Sequence, residues 1–292
     1  MTQFTPGIDV SIYQGSINWP AVAAAGIKYA VIRATVGDYY TDANYRRNFD
    51  GARAAGIPVV SAYHVTRPNR PFAAQMTRLW TALGSDRPTA PLTIDAEVAD
   101  GMSPSHITNY QKDTAITIET ETGKKPVFYT APWFWDPNVI RNVWAREYPL
   151  HQARYASTPL PLPLDWSSWL LWQYSSSGRI NGIPERVDLN WFAGSEADLV
   201  AWSGGEVYEP PTVISSLSME VAVGTLIVRA GPGRGYAELR RVHAGDPIFV
   251  QDVVPATLGG YPCVWGKIQT GPDAWCCLTV GSERYTVPAY ED

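Results

Sequence analysis

Residues 23–34, AAAGIKYAVIRA, are answered by residues 52–63, ARAAGIPVVSAY, and the Gly-Ile corner returns after thirty positions as Gly26-Ile27 and Gly56-Ile57. Each copy reads as a helix end, a glycine that closes it, and an apolar run that fits a buried strand. That spacing is the length of a βαβ unit. Apolar runs without polar alternation suit strands buried on both faces, so the repeat predicts a parallel sheet covered by helices.

On either side of this repeat, PGIDVS (6–11) is a first strand and WPAVAAAG (19–26) a first helix, with Pro20 suited to the opening turn. Phe72, Met76, Leu79, Trp80 and Leu83 recur at helical spacing ahead of the strand PLTIDAEV (91–98). Ser103-Pro104 caps the helix that leads to the strand PVFYTA (126–131). Further on the helices thin out. Proline-rich PLPLPLDW (159–166) precedes SWLLWQYS (168–175), and only about eight residues join WQYSSSG to RVDLNWF. The reading is α/β: an eight-stranded β/α barrel with about five helices.

The barrel closes near Gly194, so residues 1–203 form one domain and the Pro/Gly/acidic stretch 204–214 a linker. Residues 215–292 carry short β-like runs, TLIVRAG, DPIFVQDV and CVWGKIQT, separated by turn residues such as Gly231-Pro232-Gly233 and Gly259-Gly260. A small all-β barrel is expected there.

The formal net charge of −5 comes without a Lys/Arg run, which argues against nucleic acid or an anionic membrane surface as partner. No apolar run approaches a membrane span, and MTQFTPGIDVS has neither a charged start nor an apolar signal core, so synthesis in the cytoplasm without a signal peptide is expected. Twelve Trp and sixteen Tyr exceed what core packing demands, and such rings stack on sugars. The three cysteines, Cys263, Cys276 and Cys277, are an odd number near the C-terminus. They are read as buried, idle thiols.

In β/α barrels chemistry sits at the C-terminal ends of the strands. Here those ends carry Asp9, Arg33, Tyr63-His64, Asp95 with Glu97, Tyr129, Tyr155, Trp172-Gln173-Tyr174, and Asp188 with Asn190. Asp95 and Glu97 are two residues apart on a strand that rises about 3.3 Å per residue, so they point the same way. With Asp9 and Asp188 they bring several like charges to one mouth, and at least one pKa must rise. A carboxyl kept protonated near neutral pH is what a general acid needs to protonate a glycosidic oxygen, while ionised neighbours stabilise the oxocarbenium-like centre. A carboxylate cage for a divalent metal is the lesser reading of the same acids.

GIDVSIYQG (7–15), PLTIDAE (91–97), PVFYTAPWFW (126–135) and WLLWQYSSSGRINGIPERVDLNWF (169–192) together resemble the Chalaropsis-type lysozymes, glycoside hydrolase family 25. The resemblance spans residues 6–194. It implies a β/α barrel with reduced helices and N-acetylmuramidase activity, cutting the β-1,4 bond from N-acetylmuramic acid to N-acetylglucosamine in peptidoglycan. By that likeness Glu97 is the general acid, Asp95 its charged neighbour, and Asp9 and Asp188 further acids of the cleft. Attack falls either to an aspartate or to the substrate's own N-acetyl group, which Asp95 is placed to assist. Tyr63, Tyr129, Trp172 and Tyr174 are candidates to stack on sugars or hold the N-acetyl group, with Gln173 and Asn190 at the same strand ends. Arg33 and His64 contact substrate or balance the acids.

Residues 225–246, TLIVRAGPGRGYAELRRVHAGD, resemble a bacterial Src-homology-3-like repeat, which implies a wall-binding module over residues 215–292. The expectation is therefore a two-domain peptidoglycan muramidase, monomeric, needing no cofactor and no metal, acting on the cell wall as a phage endolysin does. A non-catalytic carbohydrate-binding protein and a chitinase-like glycosidase are the alternatives. The four acids argue against the first. The second lacks its run of alternating aspartates before Asp95.

Overall fold

The computed structural model describes residues 4–141, 144–204, 217–258, 261–268, 274–280 and 283–288. Its first unit, Met1–Pro211, contains strands β1 (Thr5–Val10), β2 (Tyr29–Val36), β3 (Tyr40–Thr41), β4 (Val59–Val65), β5 (Thr93–Asp95), β6 (Val127–Thr130), β7 (Leu150–Ala153), β8 (Leu171–Gly178) and β9 (Val187–Phe192). Helices α1 (Trp19–Ala24), α2 (Tyr45–Ala54), α3 (Phe72–Leu83), α4 (Pro104–Thr122) and α5 (Pro132–Asn138) lie between strands, and α6 (Glu196–Gly204) follows β9. The thirty-residue repeat is β2 and β4 paired in parallel across α2. Gly26 and Gly56, at φ 89° and 78°, turn the chain out of α1 and α2 in a conformation that costs glycine little.

Pairing runs β1-β9-β8-β7-β6-β5-β4-β2, and β1 also pairs with β2, so eight strands close into a barrel with β3 as a short arm on β2. One expectation is corrected. The sheet is not wholly parallel, because β9 runs antiparallel to both β8 and β1. A parallel return needs a crossover of a dozen or more residues. Residues 179–186 are too few, so the chain folds straight back. The start of β9 rather than its end therefore lies at the mouth.

The barrel floor is apolar: Tyr29, Val31, Val59, Val127, Leu171 and Phe192 form one buried cluster, against which α6 lays Leu199 and Trp202. A Cβ on Gly7 would overlap the Tyr29 ring, so the close approach of β1 to that ring requires glycine. On the outside, α4 begins where the Ser103 hydroxyl accepts the His106 N–H at 3.3 Å and ends at Gly123 in the left-handed region. Among the described residues no helix is long and apolar enough to cross a membrane.

The second unit, Thr212–Asp292, is antiparallel throughout: β10 (Leu217–Val221), β11 (Thr225–Arg229), β12 (Glu238–His243), β13 (Pro247–Leu258), β14 (Tyr261–Ile268), β15 (Trp275–Val280), β16 (Glu283–Arg284) and β17 (Thr286–Pro288). Its core gathers Leu226, Val228, Val242, Ile248, Val250, Ile268, Cys276 and Leu278. Cys276 packs there, while adjacent Cys277 packs with Cys263, Trp265 and Trp275 in a separate cluster. All three thiols are free and buried. Gly204, expected to open a linker, closes α6. The other linker positions, 205–214, and the Gly259-Gly260 turn lie outside the described residues.

Candidate active site

At the C-terminal end of the parallel strands lies a cavity of about 200 Å³ lined by Asp9, Val31, Tyr63, Thr93, Asp95, Glu97, Tyr129, His151, Tyr155, Gln173 and Asp188. All four predicted acids are in it. Asp95 ends β5, and the chain stays extended beyond it because both neighbouring strands hold it. Thr66 donates its N–H and hydroxyl to the Asp95 carbonyl, each at 3.0 Å. On the other side Ala96 donates to the Tyr129 carbonyl at 2.9 Å and accepts the Thr130 hydroxyl at 2.8 Å. Alternation then turns Ala96 into the wall and leaves Asp95 and Glu97 on the cavity side.

Asp9 is held from β8 and β9. Its Oδ2 accepts the Gln173 amide at 2.7 Å and the Asn190 amide at 2.8 Å. Gln173 Oε1 in turn accepts the Tyr129 hydroxyl at 2.8 Å, and Asn190 Oδ1 lies 2.8 Å from His151 Nε2. An amide oxygen only accepts, so Nε2 of His151 carries the hydrogen and Nδ1 is the lone-pair nitrogen. Burial lowers the His151 pKa, the charge of Asp9 opposing it, so the ring is neutral in this relay.

Burial pushes three of the acids upward. Asp95 rises well above the usual carboxylate range through burial, then repulsion from Glu97 and Asp9, with Arg33 opposing. Glu97 is raised by burial and by Asp9. Asp188 is pushed up to about 8 by burial, the charge of Asp9, its hydrogen bond with Asp9, and Glu97. One expectation changes here. Asp188 holds a proton itself at neutral pH, so the field on Glu97 comes from Asp9. Asp95 is buried with one carboxylate oxygen lacking a hydrogen-bond partner among the described residues, an arrangement that disfavours its charged form. The two carboxyls titrate as a pair. Among the described residues no three acidic, histidine or cysteine side chains converge in a way that would hold a metal ion.

Tyr63, Tyr129 and Gln173 line the cavity as expected, and Asn190 sits buried against Asp9. Four other candidates do not line it. His64, 1% exposed, bonds through Nδ1 to the Thr35 hydroxyl at 2.7 Å, and burial brings its pKa down to about 4. Trp172 donates to the Arg154 carbonyl at 2.8 Å and meets Trp169 edge-on. Tyr174 stacks on Trp191 at 5.3 Å. Arg33 donates to Asp42 Oδ2 at 2.8 Å and spreads over the rings of Tyr13 and Tyr40. Consecutive residues of a strand face opposite ways, so Tyr63 and Gln173 looking in means His64, Trp172 and Tyr174 look out.

Val31, Thr93 and His151 line the cavity without having been read as site candidates, and His151 is the titratable one among them. Counting back by twos from Tyr155, a residue already read at the mouth, reaches Ala153 and His151 on one face, and that was the available signal.

Residues 8–183 match the family described as Glycosyl hydrolases family 25. The chain is similar to Lysozyme M1 of Streptomyces globisporus, 33% identical over 213 residues that cover 68% of this chain and 71% of that one. It is also similar to the N,O-diacetylmuramidase of a Chalaropsis species, 28% identical over 200 residues covering 62% of this chain and 95% of that one. Among solved structures it is similar to the bacterial lysozyme from Streptomyces coelicolor, with TM-score 0.63, 31% identity, and coverage of 71% of this chain and 100% of that chain.

Proposed function

Because this chain belongs to glycosyl hydrolases family 25, and is a glycoside hydrolase on that ground, we propose that it cleaves the bond from N-acetylmuramic acid to N-acetylglucosamine in peptidoglycan, with Glu97 as general acid. The observation that carries the assignment is the pair Asp95 and Glu97 on one face of one extended segment, both lining the cavity and both raised by burial. Glu97 gives its proton to the glycosidic oxygen as the bond to the anomeric carbon breaks. The leaving sugar departs with a free hydroxyl. Asp95 orients the substrate's acetamido group for attack on the anomeric carbon, and Glu97, now a carboxylate, takes a proton from the water that resolves the intermediate. Asp9, held in place by Gln173 and Asn190, faces the developing positive charge.

Digestion of purified peptidoglycan tests this reading. New reducing ends of muramic acid are expected, and glucosamine ends, or none, overturn it.

We further infer that residues 215–292 form a wall-binding module and that the chain works as an endolysin, reaching the wall once the membrane is breached. Support for the first comes from a cavity of about 240 Å³ in the second unit, whose lining includes Arg229, Arg234 and Trp265, groups that suit carboxylates and sugar or peptide faces. A local attachment of this kind raises enzyme concentration on an insoluble polymer. Cosedimentation with cell walls should be lost on removal of residues 212–292 while soluble fragments are still cleaved; unchanged sedimentation ends the wall-binding reading. Expression inside a host should lyse cells only when a membrane-permeabilising agent is added.

A further inference from the structure

Among the described residues of the first unit, four aromatic rings stand out into solvent on segments that follow strand C-termini: Tyr13, Tyr39, Trp133 and Tyr155, exposed by 74%, 50%, 66% and 60%. Tyr13 lies in the 3-10 turn Ile12–Gln14 after β1, Tyr39 in the turn from β2 to β3, Trp133 at the start of α5 after β6, and Tyr155 just after β7. Around the closed ring β1, β2, β4, β5, β6, β7, β8, β9, β6 stands opposite β1 and β7 opposite β2. The rings therefore flank the mouth in two facing pairs. The acids lie on another diameter, since β5 carries Asp95 with Glu97 beyond it and β9, opposite, carries Asp188. Eight strands spaced by about 4.8 Å and tilted by about 36° make a ring roughly 15 Å across.

These rings are held rather than loose. The Arg33 guanidinium lies 5.0 Å from the Tyr13 ring and is itself fixed on Asp42 at 2.8 Å. Arg67 and Arg70 lie 5.7 Å and 5.6 Å from the Tyr39 ring, and their guanidinium groups are tied to Asp100 at 2.9 Å and to Asp38 at 2.7 Å. Trp133 meets buried Phe134 at 6.1 Å with planes at 73°. A large exposed ring fixed by its neighbours is a contact surface with little conformational entropy left to lose. Tyr155 joins this rim to the cavity, because it is exposed and also lines the cavity.

We propose that Tyr13 and Tyr39 on one side and Trp133 on the other are outer sugar platforms, which lay a glycan strand across the mouth so that its central bond passes between the β5 acids and Asp188. The enzyme then prefers long strands and cuts inside them. This rests on the proposed glycosidase reading and goes beyond it by naming what binds the sugars remote from the cut. Binding energy gathered there is realised only by substrates long enough to reach it.

The test compares the full chain with Trp133→Ala and with the double variant Tyr13→Ala/Tyr39→Ala on the shortest cleavable muropeptide-free oligosaccharide and on long glycan strands. On long strands kcat/KM should fall about tenfold, mostly through KM, as expected for a lost stacking contact. The loss on the short substrate should be several-fold smaller, and Trp133→Phe, which keeps a ring, should recover most of the long-strand rate. Equal losses on both substrates, no loss on either, or a chain-chain dimer in sedimentation that the same substitutions dissolve would each overturn the proposal. Glu97→Gln run alongside separates the two readings: turnover in that variant defeats the acid assignment, whereas a length-independent effect of the rim variants defeats only the platforms.

Discussion

Asp9 of β1 and Asp188 of β9 are directly paired residues of antiparallel strands, one opposite the other across the seam that closes the barrel. Two carboxyls so placed do not both ionise readily. Asp9 Oδ2 already accepts two amide donors, from Gln173 and Asn190. Asp188, raised to about 8, keeps the proton.

That pairing makes stability depend on pH with a definite sign. A carboxyl whose folded pKa lies above its unfolded value binds more protons in the folded state between the two, so its contribution is present at low pH and is lost as pH rises from about 4 to about 8. Asp95 and Glu97 act in the same direction. Thermal scans of Asp188→Asn should show a higher melting temperature than the parent at pH 8 and a shallower fall from pH 4 to 8. An Asp188→Asn curve that runs parallel to the parent's across that window sinks the assignment.

Replacing Glu97 with Gln keeps shape and removes the transferable proton. Turnover on peptidoglycan should drop by roughly 10²–10⁴, the range for a lost general acid, with the melting temperature and cosedimentation with walls retained. The parent rate should decline toward high pH as Glu97 ionises, since its raised pKa sets the upper limb.

Asn190 connects Asp9 to His151 with one amide group. Asn190→Ala leaves both partners buried and short of a bond, at a cost of about 1–3 kcal/mol for each group left unpaired. Denaturant midpoints should fall accordingly, and kcat should fall more than KM rises because Asp9 loses one of its two holders. A variant as stable and as fast as the parent contradicts the relay.

His64, turned toward Thr35 and away from the cavity, serves packing. His64→Ala should lower stability by about 1–3 kcal/mol through the lost bond and leave KM near the parent value. Its pKa of about 4 lies below the unfolded value, so the folded state of the parent loses stability as pH falls from about 6.5 toward 4, and the variant should lack that component. A large rise in KM at unchanged stability would return the ring to the substrate contacts.

The barrel was legible because its signals are local and repeated. The Gly-Ile corner at thirty-residue spacing, the cap at Ser103-Pro104 and the apolar runs each reflect backbone requirements that one segment states by itself. The strand-end rule then brought Asp9, Asp95, Glu97, Tyr63, Tyr129 and Gln173 to one cavity. It overreached at Arg33, at His64, and at Trp172 and Tyr174. Position at a strand end says how far along the barrel a residue lies, and facing is a separate, alternating property. His151 escaped notice for the reverse reason, since it sits deeper than the mouth and its cavity-facing side shows only once Tyr155 sets the phase.

By itself, then, the sequence determined the order of elements, the barrel class, the small all-β second unit and the carboxyl pair two residues apart, because helix ends, strand periodicity and turn chemistry act over a few residues. The tertiary structure alone set β9 running backward, brought Asp188 against Asp9, and raised the Asp188 pKa to about 8. Those outcomes depend on groups as far apart as Asp9 and Asn190, and burial and charge act through space, where separation along the chain carries no weight.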